Sequence, residues 1–94
     1  MELTYKGSFF RDLDKISNRY LLQAVKKKIK EIQSAKSPLQ ISSLKKFRSL
    51  YRIWYKIEIQ TEQNNKIYWI LCTIKNNAVE FRRIKTEQFF KNNY

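Results

Sequence analysis

The 94-residue sequence contains no histidine, and it has only one cysteine, one glycine and one proline. The lack of histidine excludes Ser–His and Cys–His catalytic pairs and histidine-ligated metal sites. Cys72 has no second cysteine with which to form an internal disulfide. It lies in the most apolar stretch of the chain, so we expect a small buried side chain rather than a nucleophile. The turns must rely on asparagine, serine and glutamine in place of glycine.

Sequence motifs of common enzymes and of membrane proteins are also missing. There is no glycine-rich phosphate loop, no paired carboxylates at catalytic spacing and no CxxC motif. We therefore expect neither a metal ion nor a small-molecule cofactor. The chain has no run of 18 apolar residues and no signal-peptide core, so we expect a cytoplasmic protein that does not act at a membrane.

Acidic residues are scarce, with 8 against 20 lysines and arginines, which gives a net charge of +12. This charge predicts a polyanion or an acidic protein as the partner. It is concentrated in the middle of the chain, where Glu31 is the one acid between residues 24 and 48. The bases of this block are Lys26, Lys27, Lys28, Lys30, Lys36, Lys45, Lys46 and Arg48.

The best-defined pattern lies between residues 50 and 83 and predicts an antiparallel meander. Residues 51–60 alternate as a half-buried strand does, with one face apolar and one polar. The apolar face holds Tyr51, Ile53, Tyr55, Ile57 and Ile59, and the other holds Arg52, Trp54, Lys56, Glu58 and Gln60. Turns at 62–66 and 75–77 bound a strand at 67–74 that is apolar at nearly every position, as a strand covered on both faces would be, and a shorter strand follows at 79–84.

Two helices are predicted before the meander, and together they suggest an αα-hairpin laid over the sheet. The first starts at Phe9 with Ser8 as a candidate N-cap, and Ser17-Asn18 marks a break or a second cap. The second covers residues 19–35 with an apolar stripe through Val25 and Ile32. Its lysines form either a solvated face or a contact surface for phosphates or an acidic partner.

The two ends of the chain leave alternatives open. Residues 2–6 form an edge strand or a disordered start, and residues 85–94 form a short helix or an aromatic cover over the sheet edge. We predict a single α+β domain over residues 1–94. An N-terminal strand and helical hairpin would pack on an antiparallel three- to four-stranded sheet, with a short C-terminal helix or tail.

The order of these elements resembles the RelE/ParE superfamily of bacterial toxins. The residues that carry the resemblance are Phe9 to Ile16, the helix through Ile32, Leu44-Lys45-Lys46, Tyr51-Arg52-Ile53 and Val79-Glu80-Phe81. The resemblance implies a toxin that cuts messenger RNA on the ribosome and that an acidic antitoxin protein neutralises.

The resemblance also implies which residues form the RNA site. Lys45, Lys46 and Arg52 match the family's basic positions, and Phe81 matches its late aromatic residue. We predict catalytic roles for Lys45, Lys46, Arg52 and Arg82. RNA contacts are predicted for Arg48, Trp54, Lys56, Lys75, Phe81 and Arg83. Because strand neighbours point to opposite faces, only one of Arg82 and Arg83 can join Arg52.

The sequence departs from the family at the residues that would transfer protons. Asn76-Asn77 stand where many members have a His-Arg pair, and Phe81 stands where many have a tyrosine. Phenylalanine can stack on a base but cannot transfer a proton. The alternative is therefore a non-catalytic toxin of the same fold that inhibits a nucleic-acid enzyme such as gyrase, or a plain RNA- or partner-binding module.

Overall fold

The computed structural model describes residues 1–49, 51–61 and 66–93. The strands are β1 (Glu2–Tyr5), β2 (Leu44–Arg48), β3 (Ile53–Gln60), β4 (Ile67–Lys75) and β5 (Ala78–Thr86). The helices are α1 (Gly7–Asp14), α2 (Arg19–Ser34) and α3 (Glu87–Asn93), with a 3-10 turn at Pro38–Gln40. None of the helices in these ranges has the length and apolar character needed to cross a membrane.

The five strands form one sheet in the order β1-β5-β4-β3-β2. β1 runs parallel to β5, and every other pair is antiparallel. The α+β class and the meander are therefore confirmed, and β1 is the edge strand that was one of the two alternatives. The sheet has one strand more than expected, because the segment 44–48 pairs with β3 instead of only leading into it.

One face of the sheet packs against α1 and α2 and forms the main core. Phe9, Val25 and Ile32 from the helices are fully buried, and they pack on residues of β3, β4 and β5. The strand residues are Ile57, Ile59, Ile70, Cys72, Val79 and Phe81. Cys72 is the buried apolar side chain expected, and burial raises the pKa of its thiol to about 12.

The caps of the two helices differ from each other and partly from expectation. The Asn18 side chain accepts hydrogen bonds from the backbone N–H groups of Tyr20 and Leu21, so it caps α2 as predicted. The predicted N-cap role of Ser8 is wrong, because α1 begins at Gly7, two residues before the predicted start, and its N-cap is Lys6. The Ser8 hydroxyl instead donates a 2.7 Å hydrogen bond to the carbonyl of Arg82 on β5.

The β4–β5 hairpin turns at two asparagines, as predicted. Asn76 and Asn77 have φ angles of 51° and 66°, a region that asparagine tolerates better than most residues. β4 is buried on both faces through Trp69 to Cys72, which confirms the central strand. The predicted turn at 62–66 falls, except for Lys66, outside the described residues.

The second face of the sheet contacts α3, and we call it the α3 face. Trp69, Leu71 and Phe90 form a small second core there, with Phe47 and Trp54 packed against it. The C-terminal segment is thus the helix that the sequence left as an alternative. The start of the alternating stretch differs from expectation. Tyr51 is 95% exposed, because β3 begins only at Ile53.

Candidate nucleic-acid interface

Strand alternation brings cations and aromatic rings together on the α3 face. Lys45 and Phe47 come from β2, Trp54 and Lys56 from β3, and Trp69 from β4. Side chains two residues apart share a face, so each strand delivers its polar positions to the same side. Lys45 is exposed, and Lys56 is half-buried among the rings.

Two lysines share one tryptophan in the centre of this face. Lys45 and Lys56 are direct partners across β2 and β3. The Lys56 ammonium lies 4.3 Å from the Trp69 ring centroid and 4.2 Å from that of Phe90, and Lys45 lies 5.6 Å from Trp69. The quadrupole of the ring attracts each ammonium group and stabilises its position over the ring. Like charges directly opposite on a sheet repel one another, so an anion bound between them would be favoured.

Two arginines share a second tryptophan towards the end of the face. The guanidinium carbons of Arg52 and Arg82 lie 5.5 and 5.6 Å from the Trp54 ring centroid. Arg82 is held in place by Glu80 at 2.6 Å and by the Thr73 hydroxyl at 3.2 Å. Arg52 is exposed. Of the residues predicted to be catalytic, Arg52 and Arg82 are thus brought together on one ring.

The four predicted catalytic residues are not all brought together. Arg52 and Arg82 converge on Trp54. Lys45 is opposite Lys56, which places it about 13 Å along the strands from Arg52 at ~3.3 Å per residue. Lys46 follows Lys45 on the same strand, so its side chain points to the opposite face of the sheet. The role predicted for Lys46 beside Lys45 is therefore wrong in this fold.

Phe81 and Arg83, both on β5 and both predicted to contact RNA, make contacts within the fold instead. Phe81 is fully buried in the main core, between Tyr5 and Phe9, so it has no surface on which a base could stack. The prediction for Phe81 is wrong. The Arg83 guanidinium donates hydrogen bonds of 2.8 and 3.1 Å to the carboxylate of Asp12 on α1. Arg83 therefore serves the fold, and only Arg82 joins Arg52.

A break in the β4–β5 pairing occurs at Arg82 and Arg83, whose side chains have different partners. Leu71 pairs with Arg83 and Cys72 pairs with Phe81, which leaves Arg82 as an extra residue on β5. Such a bulge turns the side chains away from strict alternation. In this geometry the Arg82 guanidinium lies on Trp54 beside that of Arg52, and the Arg83 guanidinium is bound to Asp12.

The remaining predicted contacts lie at the margins of the α3 face. Arg48 is exposed at the end of β2 and Lys75 is exposed at the end of β4. Arg48 lines a groove of about 390 Å³ between β2 and α3, together with Phe47, Lys56, Glu87, Phe90 and Lys91. The α3 face is thus edged by further cations at both ends.

Several aromatic residues of the site were not predicted from the sequence. Phe47 lies parallel to Trp54 at 6.4 Å and meets Phe90 edge-on at 5.6 Å. The Trp69 indole donates to the Glu87 carboxylate, and the Trp54 indole donates to Ser49. The period-2 spacing of Lys45 and Phe47 was the one signal that could have revealed β2. The adjacent aromatic residues Phe89 and Phe90 indicated that the C-terminal segment docks on the domain, but not that Phe90 meets Phe47 and Trp69, because those contacts depend on where α3 docks.

The chemistry of this face is cationic and aromatic. Arginine stabilises phosphate charge but cannot act as a general base, because its guanidinium keeps its proton. Within the described parts of the chain, no group of histidine, cysteine or acidic side chains is placed to hold a metal ion. The face can therefore bind and polarise a phosphodiester, while any proton transfer falls to lysine, tyrosine or water.

The comparisons with known proteins bear on the fold. No protein-family model matches the chain, and no curated protein matches its sequence. The structure is similar to a chain of the RelB–RelE antitoxin–toxin complex from Methanococcus jannaschii, with a TM-score of 0.64 and 18% sequence identity. The match covers 97% of this chain and 98% of that one. The chain has a RelE-like fold.

Proposed function

We propose that the chain is the toxin of a toxin–antitoxin pair and that it cleaves messenger RNA on the ribosome in the cytoplasm. The observation that carries the proposal is the pair of guanidinium groups, Arg52 and Arg82, held on the indole of Trp54. The RelE-like fold supports it, since the similar chain comes from an antitoxin–toxin complex. The net charge of +12 suits an acidic antitoxin as the partner.

The proposed reaction is attack of a ribose 2′-oxygen on the neighbouring phosphorus. The new O–P bond forms as the bond to the 5′-oxygen breaks, giving a 2′,3′-cyclic phosphate and a 5′-hydroxyl. Arg52, which is exposed, would contact the phosphorane oxygens, and Arg82 would add a second positive charge oriented by Glu80. Charge stabilisation of this kind is often the largest catalytic contribution.

Proton transfer is assigned to the lysine pair. The 2′-hydroxyl must lose a proton and the leaving 5′-oxygen must gain one. Lys45 and Lys56 lie on the same face as Arg52, whereas Lys46 does not. The backbone positions of the lysines and Arg52 are about 13 Å apart along the strands. These long side chains would therefore have to bend towards one phosphate bound between them on β3, where the 2′- and 5′-oxygens come within hydrogen-bond reach of the lysines. Lys45, Lys56, Arg52 and Arg82 therefore form the proposed site.

A non-catalytic toxin of the same fold is the second candidate, and two observations favour it. Phe81 is fully buried and has no ionisable group, so it can neither stack on a nucleobase nor transfer a proton in the site. Arg82 is already paired with Glu80 at 2.6 Å, which lowers the charge available for a phosphate. Such a protein would bind through the same cationic face and would inhibit a nucleic-acid enzyme such as gyrase, or bind RNA without cutting it.

Controlled expression in a bacterium separates the two candidates. For the nuclease we expect growth arrest with new message 5′ ends, and we expect Arg52→Ala to lower the cleavage rate by about 100-fold or more. Arg11→Ala is the matched control, because Arg11 is exposed on α1 and far from the α3 face. Arrest with intact messages and broken DNA would instead support the gyrase-type candidate.

A further inference from the structure

The outer face of α2 carries the densest group of cations outside the proposed site. Arg19, Lys26, Lys27 and Lys30 are all exposed. At 3.6 residues per turn they fall within an arc of about 100° and extend over ~17 Å of the helix. The opposite side of the helix carries Leu21, Val25 and Ile32, which are buried in the main core. These four cations form the α2 cationic face.

Among the described residues, no acidic side chain forms an ion pair with the α2 cationic face. Glu31 is the one acid of α2, and it pairs with Lys28 at 2.8 Å and accepts a hydrogen bond from Ser42. The hydrogen bonds from Lys28 and Ser42 lower the pKa of Glu31. Its ionised carboxylate is therefore paired with those two side chains. Lys26 and Lys30 are one turn apart, and like charges at this spacing destabilise a helix.

The composition of the α2 cationic face favours a phosphate backbone over a protein as its partner. Protein interfaces are depleted in lysine and rely on buried aromatic or apolar anchors. The other exposed residues on this side of the helix are the polar Gln23, Gln33 and Ser34, and the one aromatic side chain beside them is Tyr20 near the start of α2. Lysine is a mobile point charge that contacts phosphate oxygens without reading bases. An exposed group of lysines of this kind therefore fits a phosphate backbone.

We infer that the α2 cationic face is a second nucleic-acid contact, which binds the phosphate backbone of a duplex. It lies on the side of the sheet opposite to the α3 face, so one molecule could contact two segments of nucleic acid. The inference does not depend on the proposed function, because it needs neither cleavage nor the residues of the α3 face.

The test measures the salt dependence of binding to blunt 20-base-pair duplexes of RNA and of DNA with the same sequence. Each lost phosphate contact lowers the slope of log K against log[salt] by about 0.9. We expect Lys26→Gln with Lys30→Gln to lower the slope by about 1.5–2 for both duplexes. Glutamine is as good a helix former as lysine, so the variant is expected to fold normally, which a thermal melt checks.

The matched control removes the same charge elsewhere. Lys15 and Lys36 are exposed and lie off α2, so Lys15→Gln with Lys36→Gln tests net charge alone. A slope that fell equally in both double variants would overturn the inference. A loss confined to one of the two duplexes would also contradict it. Polyglutamate is the second probe, and a loss of polyglutamate binding with unchanged duplex binding would assign the face to an acidic protein instead.

Discussion

Asp12 connects the first helix to the sheet through three hydrogen bonds. Its carboxylate accepts two from the Arg83 guanidinium and one, at 2.9 Å, from the backbone N–H of Ile84. The carboxylate is 11% exposed. Burial alone would raise the pKa of Asp12, but the hydrogen bonds from Arg83 and Ile84 outweigh it and the pKa is lowered. The folded state therefore favours the ionised form.

Replacing Asp12 by asparagine tests this link at the residue scale. Because the folded pKa is below the unfolded value of 3.8, the ionised carboxylate stabilises the fold above that pH and loses the effect as the pH falls through the folded pKa. We expect Asp12→Asn to lower the free energy of unfolding by about 1.5–3 kcal/mol at pH 7. The difference should shrink below about pH 4.

Urea unfolding at pH 7 and pH 3 measures the Asp12 effect. Asp14→Asn is the matched control, since Asp14 is exposed on the same helix. A loss of stability that stayed constant between the two pH values would show that the charge of Asp12 is not what matters.

Some residues could not have been assigned from the sequence, and the reasons are physical. Ser8 is a good helix cap by type, but a hydroxyl serves equally well as a donor to a distant carbonyl, here that of Arg82. Phe81 falls among basic residues, yet its parity on β5 turns it into the core. Arg82 and Arg83 are alike in sequence, and their separate roles depend on a bulge in the pairing.

At the scale of elements, the β4–β5 hairpin depends on two residues in the left-handed region. Asn77 has φ of 66°, and its side-chain amide also donates to the carbonyl of Lys36 at 3.2 Å, beyond the end of α2. The turn thus sets the register of the hairpin and connects it to the helical layer.

Variants of Asn77 should separate the two contributions. We expect Asn77→Ala to lower the free energy of unfolding by about 1–2 kcal/mol, because alanine is strained at positive φ. Asn77→Gly removes the same hydrogen bond without the strain, so it should be more stable than Asn77→Ala. Equal stability of the two variants in urea unfolding would rule out backbone strain as the cause.

The elements were predictable to different degrees for reasons of contact range. β4 is buried on both faces, so its composition alone marks it as a central strand. The apolar stripe of α2 and the Asn18 cap make this helix predictable from the local sequence. β2 has only five residues, and three of them are basic, so its pairing with β3 is decided by the partner strand rather than by its own sequence.

At the scale of the whole molecule, the net charge of +12 acts on stability as well as on binding. The described cations outnumber the acids that pair with them, and a surface of one sign repels itself. Salt screens such repulsion, with a Debye length that shortens from about 10 Å at 0.1 M to ~3 Å at 1 M. The fold should therefore become more stable as the ionic strength rises.

Thermal unfolding at two salt concentrations measures this repulsion. If screening recovers about 1 kcal/mol, Tm should rise by roughly 4–8 °C for a domain of this size. NaCl and KCl at equal ionic strength serve as controls for each other, because screening depends on ionic strength and not on the cation. A Tm that fell with added salt would mean that favourable ion pairs, such as Asp12 with Arg83, outweigh the repulsion.

The candidate site was less predictable than the fold because it depends on distances between elements. Alternation correctly placed Arg52, Trp54 and Lys56 on one face. It could not place Lys45 relative to Arg52, since that separation depends on the register between β2 and β3. The position of α3 over Trp69 likewise depends on contacts between residues that are far apart in the chain.

The hydrogen bonds along the β1 side of β5 have a consequence for self-association. β1 pairs with β5 only as far as Phe81, and beyond it the side chains of Ser8 and Asp12 occupy the backbone groups of Arg82 and Ile84. Helix α1 therefore covers an edge of β5 with which a strand of another molecule could otherwise pair. Detachment of α1 would uncover this part of β5, so protection against strand addition at this border depends on one short helix.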